Sequence, residues 1–204
     1  MNPKLSVYVR KILQQEILED RKVILTPLIF YIQQKVEEKR PVYLHFICTH
    51  NSRRSHLAQI WSQVAASYYN IPCIQCYSGG TEVTEMFSKI VETLSDAGFE
   101  IWKLSDTRNP VYAVKFDENT LPVIGFSKRF DDIFNPINDF AAVMTCSSAD
   151  EGCPFIPGAE KRFPVTFEDP KVSDGTLRQI EIYEQRSLEI ASEMFYVFSQ
   201  IHHT

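Results

Sequence analysis

Long hydrophobic runs are missing: nothing in this 204-residue chain approaches the ~18 consecutive apolar residues of a membrane span. The opening Met1-Asn-Pro-Lys-Leu-Ser6 lacks the apolar core of a signal peptide. A cytoplasmic protein with no membrane partner is the expectation. Excess basic charge is missing too, with 21 Lys and Arg against 26 Asp and Glu and a net charge of −5. That balance argues against nucleic acid as a partner, because phosphate backbones select basic surfaces. An anionic substrate must then be held by local positive groups.

Metal-ligand spacing is also absent. Cys73-Ile-Gln-Cys76 is a single Cys-x2-Cys pair, with no second pair and no His pair at ligand spacing. Its surroundings, Ile71 to Tyr77, read as a buried parallel strand, so no metal and no cofactor are expected. The other cysteines are Cys48, Cys146 and Cys153. In a reducing compartment these five thiols form no structural disulfide framework.

What is present is enough apolar material, 44% of the chain, for one substantial core. One globular domain, residues 41–204, with a helical N-terminal extension, residues 1–40, is the expected organisation. In the extension, Lys11–Asp20 and Leu28–Val36 place apolar residues at intervals of three and four, and Pro27 can open the second helix. Their apolar faces must pack on the main domain or on a second subunit, which would make a homodimer.

From Pro41 onward strands and helices alternate. Val42–Ile47 is a strand, Ser52–Tyr69 a helix, Ile74–Tyr77 a strand, and Thr84–Ala97 a helix ended by Gly98. Val111–Phe126 reads as a hairpin-like excursion or a ragged third strand. Phe140–Thr145 is a strand, and Gly175–Ile201 a long closing helix. The alternation predicts an α/β fold, a parallel sheet covered by helices on both faces, with its sites at the carboxyl ends of the strands.

Three segments carry chemistry. The first is Cys48-Thr-His-Asn-Ser-Arg-Arg54-Ser55, on the turn from the first strand into the first helix of the main domain. Helix N-terminal N–H groups lack intrahelical partners and carry the positive end of the macrodipole, so Thr49, His50, Asn51, Ser52, Arg53, Arg54 and Ser55 can wrap a tetrahedral oxyanion. Arg54 can grip two of its oxygens at once. The same field stabilises a thiolate, which predicts a lowered pKa for Cys48. Ser55 can add a hydroxyl hydrogen bond to the sulfur, and Asn51 tolerates left-handed backbone.

The second segment, Cys146-Ser-Ser-Ala-Asp-Glu-Gly-Cys153-Pro, follows a strand end as Cys48 does. On an unbroken helix the two Cα atoms would be about 10 Å apart, beyond the roughly 7 Å limit of a disulfide, so the pair can bond only if the segment unwinds. Gly152, Pro154 and Pro157-Gly158 suit such movement. The third segment, Phe167-Glu-Asp-Pro-Lys171, offers Glu168 and Asp169 as carboxylates for proton transfer.

Together these segments resemble the low-molecular-weight tyrosine phosphatase superfamily, and more closely its thioredoxin-coupled arsenate reductase branch. The resemblance spans roughly Val42 to Ile201 and implies a four-stranded parallel sheet. It implies that Cys48 attacks arsenate, that Arg54 and the loop amides hold it, and that Asp169 protonates the departing hydroxyl. Cys146 would then release arsenite, and Cys153 would carry the oxidation outward as a Cys146–Cys153 disulfide reduced by thioredoxin or a glutaredoxin-type donor. The alternatives are a phosphatase using only Cys48, Arg54 and Asp169 on a phosphate ester, and a thiol or arsenite sensor without turnover. Four positions depart from the family pattern: His50 replaces a glycine, Arg53 a second loop cysteine, Gln59 a glutamate that assists potassium binding, and Lys171 an aromatic found in phosphatases. Arg53 is expected to add positive charge near the substrate.

Overall fold

A computed structural model describes residues 1–152 and 155–202. In chain order its elements are α1 (Pro3–Ile12), α2 (Glu19–Glu37), β1 (Val42–Cys48), α3 (Arg54–Tyr68), β2 (Ile74–Gly80), α4 (Ser88–Ala97) and β3 (Glu100–Lys103). There follow β4 (Tyr112–Lys115), β5 (Val123–Gly125), β6 (Phe140–Met144), α5 (Ser147–Gly152), β7 (Ala159–Pro164), a 3-10 turn (Pro170–Ser173) and α6 (Gln179–Ser199). Four strands form a parallel sheet in the order β2-β1-β6-β7. β1 and β6 are its centre and are apolar almost throughout because both faces are covered; Tyr43 alone is not fully buried.

This is the α/β sheet expected, reached with differences of detail. The excursion at 111–126 is a hairpin, β4 and β5, and it joins β3 in a separate antiparallel sheet rather than supplying a third parallel strand. The fourth strand is β7, whose Ala-Glu-Lys-Arg-Phe-Pro carries no apolar alternation because it is an edge strand with only Phe163 buried. Cys73 is not part of a buried strand; it is exposed in the turn before β2 at φ 58, whereas Cys76 is buried.

The N-terminal helices also differ from the periodicity. Lys11–Asp20 is not one helix: α1 ends at Ile12 and α2 starts at Glu19, so that Leu13 and Leu18 are exposed on the link. Pro27 lies inside α2 instead of opening it, and acidic Glu19 and Asp20 occupy the first turn, where the helix dipole favours them. Both helices pack on the body of the same chain. Leu5, Val9, Ile12, Leu25, Leu28 and Ile32 share one core with Leu44, Phe46, Trp61 and Phe195. Tyr8 stacks on Trp61 at 5.6 Å, and Arg21 makes a two-pronged pair with Glu193 of α6, both bonds 2.7 Å. Gly98 ends α4 at φ 109 and sits against α1 so closely that a Cβ there would lie 2.4 Å from the Leu5 nitrogen.

β2 is an edge strand, yet its outer side is covered. Gln59 of α3 donates to the Cys76 carbonyl (3.1 Å), while Gln63 donates to the Ile74 carbonyl (3.2 Å) and accepts from the Cys76 N–H (3.1 Å). Further along, Gly80 exchanges backbone bonds with Lys128 and Phe130, each 2.8 Å.

Candidate active site

β1 ends at Cys48, and the chain loops over the end of the sheet into α3. Cys48 is buried, and its sulfur lies 3.1 Å from the Ser55 hydroxyl oxygen. That hydroxyl accepts from the Asn51 side-chain amide at 2.9 Å, which holds it beside the sulfur with its own hydrogen still available to donate. Asn51 is fully buried at φ 43 and its carbonyl oxygen accepts from the Lys128 N–H at 2.9 Å. Beyond the loop, α3 starts without a side-chain cap, which leaves its first N–H groups open to an anion.

Backbone carbonyls of the loop are tied outward at Thr49, His50 and Ser52. Thr49 accepts from the Glu82 N–H (2.8 Å), His50 from the Ser127 (2.9 Å) and Thr84 (3.0 Å) hydroxyls, and Ser52 from the Phe87 N–H (3.1 Å). With the oxygens held on that side, the loop N–H groups are left for the anion. Gly80 makes this packing possible, since a Cβ there would lie 2.7 Å from both the Asn51 nitrogen and the Thr49 oxygen. The His50 ring is half-exposed and 3.4 Å from Glu82.

Arg54 donates from Nη1 to the Phe167 carbonyl (2.9 Å) and from Nη2 to Asp169 Oδ2 (2.6 Å). Asp169 also caps the 3-10 turn by accepting from the Lys171 N–H at 3.1 Å. The neighbouring Glu168 is exposed, so the two carboxylates of this segment have different surroundings. Arg53 corrects an expectation. Its guanidinium does not add an uncommitted charge to the anion loop; it donates to Tyr183 (2.6 Å) and Asp174 (2.7 Å) and stacks on Phe87 at 4.2 Å.

Cys146 follows β6 at the start of α5 and is buried. It belongs to the same small apolar cluster as Cys48, with Ile47, Phe140, Met144, Ala149 and Ile156. Its sulfur is 3.5 Å from the Thr49 hydroxyl and accepts from the Ala149 N–H at 3.4 Å. Cys153 and Pro154, expected to complete the pair, lie outside the described residues.

Sequence reasoning missed the layer behind the loop. Lys128 is buried, with its ammonium over the Phe126 and Phe134 rings and its Nζ 3.3 Å from the Phe126 carbonyl. Burial lowers its pKa to about 7. His45 and His56 are buried nearby, and burial followed by the Lys128 charge lowers each to about 3. His56 Nδ1 is 3.2 Å from the Ser78 hydroxyl. Nothing local in the sequence Phe126-Ser-Lys-Arg-Phe130 marks Lys128 as internal; its backbone is held there by long-range bonds to Asn51 and Gly80. Among the described residues, no three His, Cys, Asp or Glu side chains come together as a metal site, and no helix is long and apolar enough to cross a membrane.

No family model matches the chain. Among curated proteins it is 30% identical over 134 residues to an arsenate reductase of Staphylococcus epidermidis, a match covering 65% of this chain and 80% of the relative. Among solved structures, a low-molecular-weight phosphotyrosine phosphatase from Vibrio cholerae aligns with a TM-score of 0.51 and 15% identity, covering 78% of this chain and 94% of that one. An arsenate reductase from Archaeoglobus fulgidus aligns with a TM-score of 0.50 and 17% identity, covering 76% and 98%. The strand-to-helix cysteine loop thus stands on the low-molecular-weight phosphatase fold, and by its sequence the chain belongs to the arsenate reductase family.

Proposed function

We propose that this protein reduces arsenate to arsenite through a three-thiol relay. The Cys48 thiolate attacks arsenic, the loop N–H groups and Arg54 hold the oxyanion, and Asp169 protonates the departing hydroxyl, which leaves as water. Cys146 then attacks the Cys48 sulfur. The S–As bond breaks with its electron pair going to arsenic, releasing arsenite and leaving a Cys48–Cys146 disulfide. Cys153 attacks Cys146, frees the Cys48 thiolate and carries the oxidation to a Cys146–Cys153 disulfide, which a dithiol protein of the thioredoxin or glutaredoxin type reduces. Two thiols are oxidised for the two electrons arsenic gains. All of these groups fall within residues 41–204, and the need for reduced thiols supports a cytoplasmic setting.

The observation that carries this reading is the shared burial of Cys48 and Cys146 in one apolar cluster, with Thr49 touching the second sulfur. A phosphatase needs only Cys48, Arg54 and Asp169 and gives that second buried thiol no work. Phosphate and arsenate are nearly isosteric, so weak hydrolysis of aryl phosphates is expected alongside reduction. The test is a single turnover of the reduced protein with arsenate, anaerobically and without reductant. About one arsenite released and about two thiols lost per chain, with Cys146 and Cys153 joined in the peptide map, is the expected result. Unchanged thiols and no arsenite, with aryl phosphate still hydrolysed, would leave the phosphatase reading in its place.

A further inference from the structure

Two consecutive arginines grip the two ends of one loop. Arg54 holds Asp169 at 2.6 Å, and Arg53 holds Asp174 at 2.7 Å, five residues further on. Between them runs the 3-10 turn Pro170–Ser173, which Asp169 caps at its start and Asp174 follows at its end. The Arg53 end is the more elaborate. Asp174 Oδ1 also accepts from the Tyr183 hydroxyl (2.6 Å) and the Gln179 amide (3.1 Å), while Tyr183 accepts from Arg53 Nε (2.6 Å). The guanidinium stacks on Phe87, and only 12% of the Arg53 side chain is exposed. This cluster joins the anion loop, the start of α4, the acid-bearing loop and α6.

The two grips have different fates in the reaction. Arg54 is the guanidinium that meets the oxyanion, so its hold on Asp169 must loosen when substrate enters and when the carboxyl carries a proton. The contact at the other end touches no substrate and can persist. We propose that Arg53 is a positioning residue: through Asp174 and Tyr183 it keeps the 169–174 loop docked while Arg54 exchanges Asp169 for arsenate, so that Asp169 stays within reach of the departing oxygen. This rests on the proposed acid role of Asp169. A charge that is already neutralised and stacked suits this task, because it fixes geometry without competing for the anion.

The test is the single-turnover rate of arsenite formation at saturating arsenate, with arsenate affinity measured separately, in Arg53→Ala and Asp174→Asn, each alone and combined with Asp169→Asn. Asp174→Asn preserves shape and an acceptor for Tyr183, and it keeps the question open to measurement if Arg53→Ala folds poorly. General acid assistance contributes about 100-fold or more, so partial undocking is expected to slow the step about tenfold with arsenate affinity within about twofold of the parent. In the Asp169→Asn background the same changes should cost nothing further, because the group they position is gone. Equal losses in both backgrounds, or a loss confined to affinity, or no loss at all, would overturn the positioning role while leaving Asp169 as the acid. An unaffected Asp169→Asn rate would overturn the acid assignment itself, and the positioning role with it.

Discussion

Asn51→Ala tests the loop where its geometry is most constrained. The substitution removes two buried bonds, one to Ser55 and one from the Lys128 N–H, each 2.9 Å long. A buried backbone N–H left without an acceptor costs about 1–3 kcal/mol, and the lost bond to Ser55 about 1 kcal/mol more. The residue sits at φ 43, where alanine adds about 1 kcal/mol of strain that asparagine tolerates better. The sum is roughly 3–5 kcal/mol against a total stability of about 5–15 kcal/mol. Urea unfolding of the reduced protein measures it, and Asn51→Gly separates the parts. Glycine loses the same bonds without the strain, and it should be less destabilising than alanine by roughly 1 kcal/mol. Both variants should slow the first thiol loss with arsenate, because Ser55 is no longer held beside the Cys48 sulfur. Equal costs for alanine and glycine, or costs under about 1 kcal/mol for both, would refute this account of the loop.

Cys146→Ser is expected to abolish arsenite release beyond background, measured by arsenite chromatography; steady turnover by that variant would sink the relay. Gly98→Ala forces a Cβ to 2.4 Å from the Leu5 nitrogen at φ 109 and should cost about 2–4 kcal/mol, read as a lowered Tm; a change under about 0.5 kcal/mol would mean α1 does not dock there. Lys128 has a folded pKa of about 7 against 10.5 unfolded, so the unfolded chain binds the extra proton between those values. Stability should therefore rise from about pH 7 towards 10, by up to about 1.4 kcal/mol per unit, and Lys128→Met should flatten that rise in urea titrations. His45 and His56 stay neutral down to about pH 3 when folded and take a proton at 6.5 when unfolded, so each withdraws stability as pH falls from 6.5 towards 3. His45→Phe should unfold less readily across that acid window, and an unchanged acid midpoint would contradict the burial argument.

What the sequence carried well was whatever a local pattern encodes. Val42–Ile47 and Phe140–Thr145 announce themselves as strands because both faces of β1 and β6 are buried, and Gly98 marks the end of α4 because a left-handed residue must stand there. The cysteine loop could be placed on its strand-to-helix turn for the same reason. β7 was illegible because an edge strand buries one side chain and needs no apolar rhythm, and β3 because four residues with none fully buried leave no period to detect. The direction of Arg53 is set by Tyr183 and Asp174, and the backbone of Lys128 is fixed by Asn51 and Gly80, all distant partners that no spacing rule reaches. The break between α1 and α2 was not legible either, because apolar Leu13 and Leu18 continue the helical spacing although both are exposed on the link.

The glutamines of α3 bear on how the protein behaves when crowded. An exposed outer strand is a template on which another polypeptide can grow a sheet, and cells keep such templates short, charged or blocked. Here the blocking is done by side chains of a neighbouring helix that imitate a fifth strand, supplying two donors and an acceptor where a stranger's backbone would otherwise bind. Of the two edge strands, β2 can thereby stay uncharged with its outward backbone groups at Ile74 and Cys76 already occupied.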